Sequence, residues 1–276
     1  MSADFLQDMA RSSRERVARS RIVCAETALK ALARATGAPP PLQLSALGFD
    51  LIAEVKLRSP AQGALHGALE NIGSRVADYA LAGAAAISVL TEPTRFDGEL
   101  EHLRLASLAL QGRIPAMRKD FLVDPYQVYE ARAAGAGGVL IILRMLEPAL
   151  ILALLDAAAE LQLFALLEAF DEADLEYAGQ LVREHGARAR LLVGVNCRDL
   201  STLKVVPGRL EALAEKLPAG VPRVAESGVE DGADAARLAR AGYDVALVGS
   251  ALMRAPDRLQ FARSLLAAGR QARQCG

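Results

Sequence analysis

Charged and amide side chains stand at the ends of short apolar segments of this sequence. They are Glu54, Lys56, Lys119, Glu168, Asn196 and Glu226. Buried charges must be paired or neutralised, so a pocket that collects several of them is either an internal ion-pair network or a chemical site. Lysines beside glutamates suit proton transfer at a carbonyl or hydroxyl group. We predict such an acid–base site if these segments meet in the fold.

Small residues follow the last two apolar segments. Ser227 and Gly228 come after one segment, and Gly249 and Ser250 come after the other. In barrel enzymes the loops after the last two strands, with a short extra helix, often hold a phosphate group, and glycine lets the backbone approach the anion. These loops therefore predict a phosphorylated small-molecule substrate.

Eight apolar segments alternate with helical patterns along the chain. They recur about every 28 residues, the length of one strand, one helix and two loops, and cover 49–56, 86–90, 115–119, 138–142, 164–168, 191–196, 222–226 and 245–249. Their continuous apolar character is typical of parallel strands buried on both faces. The pattern predicts an α/β fold with a single (β/α)8 TIM barrel. A doubly wound open sheet is the competing architecture, but no Gly-x-Gly-x-x-Gly loop follows any segment.

Capping residues mark several of the intervening helices. Asp171 is placed to begin a helix over 173–181, and Gly83 is placed to end the helix that contains Ile72 and Val76. The last helix is predicted over 258–268. Residues 1–48 precede the first strand and predict one or two amphipathic helices, an extension to the barrel domain of residues 49–276. Two positions remain open for it: a lid over the bottom or side of the barrel, or a cover over the active-site mouth that supplies a cationic or apolar contact.

The composition excludes several classes of protein. The 276 residues are 52% hydrophobic and carry a formal net charge of −1, so neither nucleic acid nor a membrane surface is an expected partner. The most hydrophobic stretch, 149–155, is far shorter than the roughly 20 residues of a membrane span. Cys24, Cys197 and Cys275 are far apart, which predicts neither a disulfide framework nor a metal site. We expect a soluble cytoplasmic protein.

Six motifs occur in an order that resembles a known family. They are Glu54-x-Lys56-x-x-Ser59-Pro60, the run 86–92 with Phe96, Arg118-Lys119-Asp120-Phe121, Asn196-x-Arg198-Asp199, Glu226-Ser227-Gly228, and Leu247-Val248-Gly249 with Leu252-Met253. Together they resemble the indole-3-glycerol phosphate synthase family of tryptophan biosynthesis, from about Leu6 to Met253. The resemblance implies a carbon–carbon lyase that closes the ring of 1-(2-carboxyphenylamino)-1-deoxyribulose 5-phosphate, releases carbon dioxide and water, and needs no cofactor or metal.

The resemblance also assigns roles to residues. Lys119 would be the general acid at the ribulose carbonyl, Glu168 the acid or base of the dehydration, and Lys56 the partner of the substrate carboxylate. Glu54 would set the position and charge of Lys56. Asn196 and Glu226 would orient the substrate. The other residues would bind it: Arg198, Ser59 at the anthranilate end, Phe96 and Phe121 along the ring, and Ser227, Gly228, Gly249 and Ser250 at the phosphate. A lysine beside another cation is expected to have a lowered pKa.

The sequence departs from the family pattern at three places. Leu57 stands where an arginine is common, Ala169-Phe170 follow the catalytic glutamate in place of Val-His, and Cys197 replaces an asparagine. The first two changes bear on rate and pH optimum more than on identity, whereas Cys197 is expected to be a bystander because its neighbours Asn196 and Arg198 are retained. Rival interpretations are phosphoribosylanthranilate isomerase, which needs a cysteine base on the first strand; a Schiff-base aldolase, which needs a lysine where Asn196 stands; and a non-catalytic phosphate-binding paralogue. We expect a monomer or a weak homodimer.

Overall fold

The structure, a computed structural model, describes residues 2–60, 63–65, 71–199 and 202–274. Its eight long strands coincide with the predicted segments to within a residue or so at each end. They are β1 (Asp50–Val55), β2 (Ala86–Leu90), β3 (Ala116–Lys119), β4 (Gly138–Ile142), β5 (Phe164–Ala169), β6 (Arg190–Asn196), β7 (Arg223–Glu226) and β8 (Val245–Val248). A short antiparallel pair, Arg58–Ser59 with Gly63–Ala64, follows β1.

The eight strands form a closed parallel barrel. Each strand pairs with its neighbours in chain order, and β1 also pairs with β8, where Asp50 lies opposite Val245. Closure leaves no edge of the sheet open. The predicted TIM barrel is confirmed, and the doubly wound alternative is wrong.

Helices surround the barrel and connect its strands. They are α1 (Ser2–Val23), α2 (Glu26–Ala35), α3 (Ile72–Ala82), α4 (Pro93–Phe96), α5 (Leu100–Leu110), α6 (Tyr126–Ala133), α7 (Pro148–Glu160), α8 (Glu172–His185), α9 (Arg209–Ala214), α10 (Gly232–Arg240), α11 (Ser250–Arg254) and α12 (Arg258–Gln274), with a 3₁₀ turn at Leu143–Met145. Asp171 caps α8, and Gly83 ends α3 in the left-handed conformation. The last helix runs beyond the predicted residue 268, because its buried face continues to Ala272. Within the described ranges, none of these helices has the length and apolar character that a membrane crossing requires.

Alternation along the strands separates two cores. In β1, Leu51, Ala53 and Val55 pack outward against the helices, whereas Ile52 belongs to a smaller core inside the barrel. Because side chains alternate, Glu54 shares the inward face of Ile52. In four other strands a site residue likewise shares the inward face of an inner-core residue and lies nearer the carboxyl end of the strand. The pairs are Lys119 with Met117, Glu168 with Leu166, Asn196 with Leu192, and Glu226 with Val224. Apolar packing thus ends in a layer of polar side chains at the carboxyl ends of the strands.

The N-terminal extension touches both ends of the barrel. Leu6 and Met9 of α1 pack on the inner core beside Phe121, and Ser13 Oγ donates a hydrogen bond of 2.5 Å to the Phe121 carbonyl oxygen. Helix α1 therefore covers the mouth, as one of the two open interpretations predicts. The chain after α2 runs to the opposite end, where the Ser45 backbone N–H donates to the carboxylate of Asp50, the first residue of β1.

Candidate active site

One cavity at the carboxyl ends of the strands collects every predicted site residue. Its free space is about 1020 Å³ when the solvent at its open mouth is included. The predicted residues that line it are Glu54, Lys56, Ser59, Phe96, Lys119, Phe121, Glu168, Asn196, Arg198, Glu226, Ser227, Gly228, Gly249 and Ser250. Residues far apart in sequence therefore face a common space, as the geometry of a barrel requires.

Lys119 lies at the centre of the charged groups. Its Nζ is 2.9 Å from Glu226 Oε2 and 3.3 Å from Glu168 Oε2. Burial by itself lowers the pKa of Lys119, but the charges of Glu168, Glu226 and Glu54 outweigh burial and raise this pKa above its ordinary value. The expected lowering of the pKa by a second cation is wrong for Lys119, because carboxylates are its nearest charged neighbours. Lys119 is therefore held as an ammonium group.

Lys56 and Glu54 form a second ion pair beside the first. Lys56 Nζ lies 2.8 Å from Glu54 Oε1, and the Glu54 side chain is 3% exposed. Burial acts to raise the pKa of Glu54, yet the charges of Lys56 and Lys119 hold that pKa below its usual range. Gly249 makes room for this pair, since a β-carbon there would collide with Glu54 Oε1 and lie 3.0 Å from Lys56 Nζ. The pair thus sits directly against the loop after β8.

Glu168 is held from two sides. Lys119 contacts its Oε2, and Asn196 Nδ2 donates to its Oε1 at 2.9 Å. The other amide atom of Asn196, Oδ1, accepts from the backbone N–H of Arg198 at 2.9 Å. Both oxygens of Glu168 are therefore oriented by neighbours, and the amide of Asn196 is fixed in turn by the following loop.

Glu226 has one satisfied and one unsatisfied oxygen. Its Oε2 accepts from Lys119, whereas its Oε1 is buried without a hydrogen-bond partner. Burial is the main cause that raises the pKa of Glu226 to about 8; the charge of Glu168 adds to this and Lys119 opposes it. Three carboxylates face two ammonium groups here, so the cluster favours keeping a proton on one carboxylate near neutral pH.

The loops after β7 and β8 form the predicted phosphate side of the cavity. Ser227 and Gly228 both adopt positive φ angles, 70° and 72°. A positive φ is unfavourable for serine, so the turn is held by its surroundings. Ser250, the first residue of α11, has a buried Oγ without a hydrogen-bond partner. This hydroxyl is available to a ligand group in the cavity.

Aromatic side chains line the opposite side of the cavity. The Phe121 ring packs edge-on against Phe5, with centroids 5.9 Å apart, and lies 6.2 Å from the Phe96 ring. Ser59 lines the same cavity and is buried. Sequence reasoning missed Phe5 as a lining residue, because periodicity in α1 predicts a buried face but not what that face covers. Leu203 and Glu230 were also missed, and nothing in their local sequence identifies them.

The three departures from the family pattern lie in different surroundings. Arg58, next to Leu57, is exposed and lies 3.6 Å from Asp97. Phe170 is buried in the inner core, where the Arg144 guanidinium stacks 4.7 Å from its ring centre. Burial raises the pKa of Cys197 to about 11, which makes this thiol a poor nucleophile. Cys275 lies outside the described residues.

Comparison with known proteins identifies relatives over nearly the whole chain. The family model described as indole-3-glycerol phosphate synthase matches residues 6–265. A protein of that name from Kineococcus radiotolerans is 42% identical over 235 residues, covering 85% of this chain and 82% of the relative. Another, from a Mycobacterium species, is 39% identical over 272 residues, covering 97% of this chain and 96% of the relative.

Solved structures share the fold at low sequence identity. A 3-hexulose-6-phosphate synthase from Salmonella typhimurium is similar with a TM-score of 0.63 and 16% identity, over 81% of this chain and all of the other. A tryptophan synthase structure from M. tuberculosis is similar with a TM-score of 0.55 and 17% identity, over 82% of this chain and 94% of the other. At this level of identity the likeness concerns the barrel alone.

Proposed function

The chain belongs to the indole-3-glycerol phosphate synthase family, and on this premise we propose that Lys119, Glu168 and Lys56 perform the family's chemistry in the cavity described above. The reaction closes the ring of 1-(2-carboxyphenylamino)-1-deoxyribulose 5-phosphate to indole-3-glycerol phosphate, with loss of carbon dioxide and water. The observation that supports this proposal most directly is that Lys119 Nζ faces this cavity within 3.3 Å of both Glu168 and Glu226. Acids and bases of the chain suffice for these steps without a metal or an organic cofactor.

Lys119 acts first, as the acid of ring closure. The ring carbon that bears the carboxylate attacks the ribulose carbonyl carbon, and the carbonyl oxygen gains negative charge as the new bond forms. An ammonium group within hydrogen-bond reach of that oxygen stabilises the charge and donates a proton to it. The raised pKa of Lys119 supports this role, because the residue is charged whenever substrate binds. Its proton passes readily to an alkoxide, which is a far stronger base.

Carbon dioxide and water leave in the later steps. The bond to the carboxylate breaks and its electron pair restores the aromatic ring. The new hydroxyl then leaves as water when an acid protonates it and a base removes a hydrogen from the neighbouring carbon. Glu168 takes part in this dehydration as acid or base, and its fixed orientation between Lys119 and Asn196 supports that assignment. Lys56 pairs with the substrate carboxylate before it departs.

The remaining residues bind and orient the substrate. Glu54 holds Lys56 in place, and Asn196, Glu226 and Arg198 surround the reacting centre. Ser59, Phe96 and Phe121 receive the anthranilate end. At the other end the phosphate is held by the backbone and hydroxyl groups of Ser227, Gly228, Gly249 and Ser250. The buried Oγ of Ser250 supports this assignment, because it has no hydrogen-bond partner within the described part of the protein. Binding both ends of a flexible substrate brings its reacting atoms together, which supplies much of the acceleration.

We also propose a cytoplasmic protein that is a monomer or a weak homodimer. The free thiols of Cys24 and Cys197 agree with a reducing compartment. Light scattering over a range of protein concentrations measures the oligomeric state.

A fluorescence assay tests the function directly. The purified protein is incubated with the carboxyphenylamino substrate, and indole fluorescence is followed; the chain contains no tryptophan, so the background is low. We expect indole-3-glycerol phosphate to appear with an equal amount of carbon dioxide. Tight substrate binding without turnover would instead support the non-catalytic paralogue. In a parallel incubation with phosphoribosylanthranilate, isomerisation together with no ring closure in the first assay would support the isomerase.

A further inference from the structure

Strand β6 has no side chain at one point of its inward face. Gly194 lies between Leu192, which belongs to the inner core, and Asn196, which lines the cavity. It pairs with Glu168 of β5 on one side and with Val224 of β7 on the other. A side chain here would point into the barrel, at the level of the catalytic carboxylates.

The carboxylate of Glu226 occupies the space that Gly194 leaves open. A β-carbon at this position would collide with Glu226 Oε1 and lie 3.1 Å from Leu166 Cδ1. The backbone does not require glycine, because Gly194 lies inside an extended strand and is not among the residues with positive φ. Glycine weakens a strand interior, so its presence here calls for a packing reason. The reason is that the Glu226 carboxylate packs directly against the Gly194 backbone, in the space that a side chain would fill; we call this space the seat of Glu226.

We propose that Gly194 is a positioning residue of this active site: its missing side chain seats the Glu226 carboxylate so that Oε2 meets Lys119 Nζ. This inference rests on the proposed role of Lys119. Glu226 is 1% exposed and lines the cavity, so a carboxylate displaced from Gly194 would move towards the cavity. An added methyl group would push the carboxylate out of its seat, and the 2.9 Å contact with Lys119 would be lost.

A second glycine repeats the arrangement just after another strand. Gly249, just after β8, seats the Glu54 carboxylate in the same way, and Glu54 in turn holds Lys56 at 2.8 Å. Each of these two partly buried lysines of the cavity is thus oriented by a carboxylate that fits into the space beside a glycine. The repetition indicates a common device for packing carboxylates tightly against the barrel wall.

The first experiment replaces Gly194 by alanine. We expect kcat to fall on the order of 10²-fold, the effect of a displacement of about 1 Å at a reacting group, while KM changes little. Lys119 would lose one of its carboxylate neighbours, so the basic limb of the pH–rate profile moves to lower pH. Gly179→Ala in α8 is the matched control, because its β-carbon would meet nothing closer than 3.5 Å. Equal activity of both variants and wild type, with unshifted pH profiles, would overturn the inference.

The second experiment asks whether Gly194 acts through Glu226. In a Glu226→Ala background the seat is empty, so adding Gly194→Ala should change kcat by less than about threefold; independent effects would instead multiply. If Gly194→Ala alone fails to fold, the double variant should recover a soluble fold, because the colliding carboxylate is gone. If the double variant also fails to fold, the added methyl group must collide with Leu166 and not with Glu226, which would contradict the inference.

A third measurement separates this inference from the catalytic assignment. A crystal structure of Gly194→Ala should show Glu226 Oε2 beyond 3.5 Å from Lys119 Nζ. If Lys119→Met leaves turnover unchanged, the proposed function of Lys119 fails, whatever Gly194 does. If Lys119→Met abolishes turnover and the Gly194→Ala structure keeps the contact intact, only the positioning inference fails.

Discussion

Arg16 of the first helix forms a bidentate ion pair with Asp120, the residue that follows Lys119. The two guanidinium nitrogens lie 2.7 and 2.9 Å from the two carboxylate oxygens. Asp120 also accepts hydrogen bonds from Thr91 Oγ1 at 2.8 Å and from Arg118 at 3.1 Å, and its side chain is fully buried. This is the cationic contact that one interpretation of the N-terminal extension predicts. The extension is thereby tied to the strand end that carries Lys119.

Arg16→Met should destabilise the fold. Burial acts to raise the pKa of Asp120, but the hydrogen bond from Arg16 and the charges of Arg118 and Arg16 hold this pKa well below its usual range. Removing Arg16 leaves a buried charge with fewer partners, and we expect a loss of about 3 kcal/mol in the free energy of unfolding. Urea unfolding at pH 7 measures it. The exposed Arg14→Met on the same helix is the control, and equal stability of the two variants would contradict the prediction.

Lys119→Met should abolish catalysis without abolishing binding. We expect turnover to fall by about 10²- to 10⁴-fold, the usual contribution of a positioned acid, and the substrate Kd to stay within about tenfold, since other residues hold both ends of the substrate. Steady-state kinetics and equilibrium binding measure the two quantities. Lys216→Met, at an exposed lysine, should behave as wild type. Unchanged turnover in Lys119→Met would remove this mechanism.

Ser250→Ala should weaken binding of the phosphate group. The lost hydrogen bond is worth about 1 kcal/mol, which corresponds to about a fivefold rise in the Kd of indole-3-glycerol phosphate. Calorimetric titration with this product gives the value, and Ser264→Ala on the exposed face of α12 serves as the control. A variant with altered melting temperature but unaltered Kd would show that the phosphate assignment of Ser250 is wrong.

Glu226 should make stability depend on pH. Its pKa of about 8 in the folded protein exceeds the usual unfolded value, so the folded state binds its proton more tightly. This stabilisation is present below about pH 4.3 and is lost as pH rises through about 8. Glu226→Gln cannot titrate. The unfolding free energy of wild type, measured relative to Glu226→Gln, should therefore fall by at least about 1.4 kcal/mol from pH 5 to pH 8.5, the equivalent of one pKa unit.

Urea titrations at both pH values give this difference. Glu215→Gln, at an exposed position, should show a constant offset from wild type. A constant offset for Glu226→Gln as well would mean that the carboxyl of Glu226 has an ordinary pKa in the folded protein.

Local patterns in the sequence were enough to determine the strands and their faces. The run at β4, Gly138–Ile142, was predicted at its observed ends, because a short apolar run bounded by glycine is typical of a strand buried on both faces. Alternation then determines that Glu54 and Lys119 point inward once a closed barrel is assumed. The ordered motifs identified the family, and every residue predicted from them lines the cavity.

Only the tertiary structure decided how those residues affect one another. Phe5 and Arg16 reach the site across more than a hundred residues of chain, and helical periodicity does not say which end of a barrel a helix covers. The direction of the Lys119 pKa shift was wrongly expected, because it depends on summed distances to Glu168, Glu226 and Glu54. The fit of Glu226 beside Gly194 likewise exists only after closure. Electrostatic energies and van der Waals contacts depend on distances in space, and barrel closure sets these distances among residues that are remote in sequence.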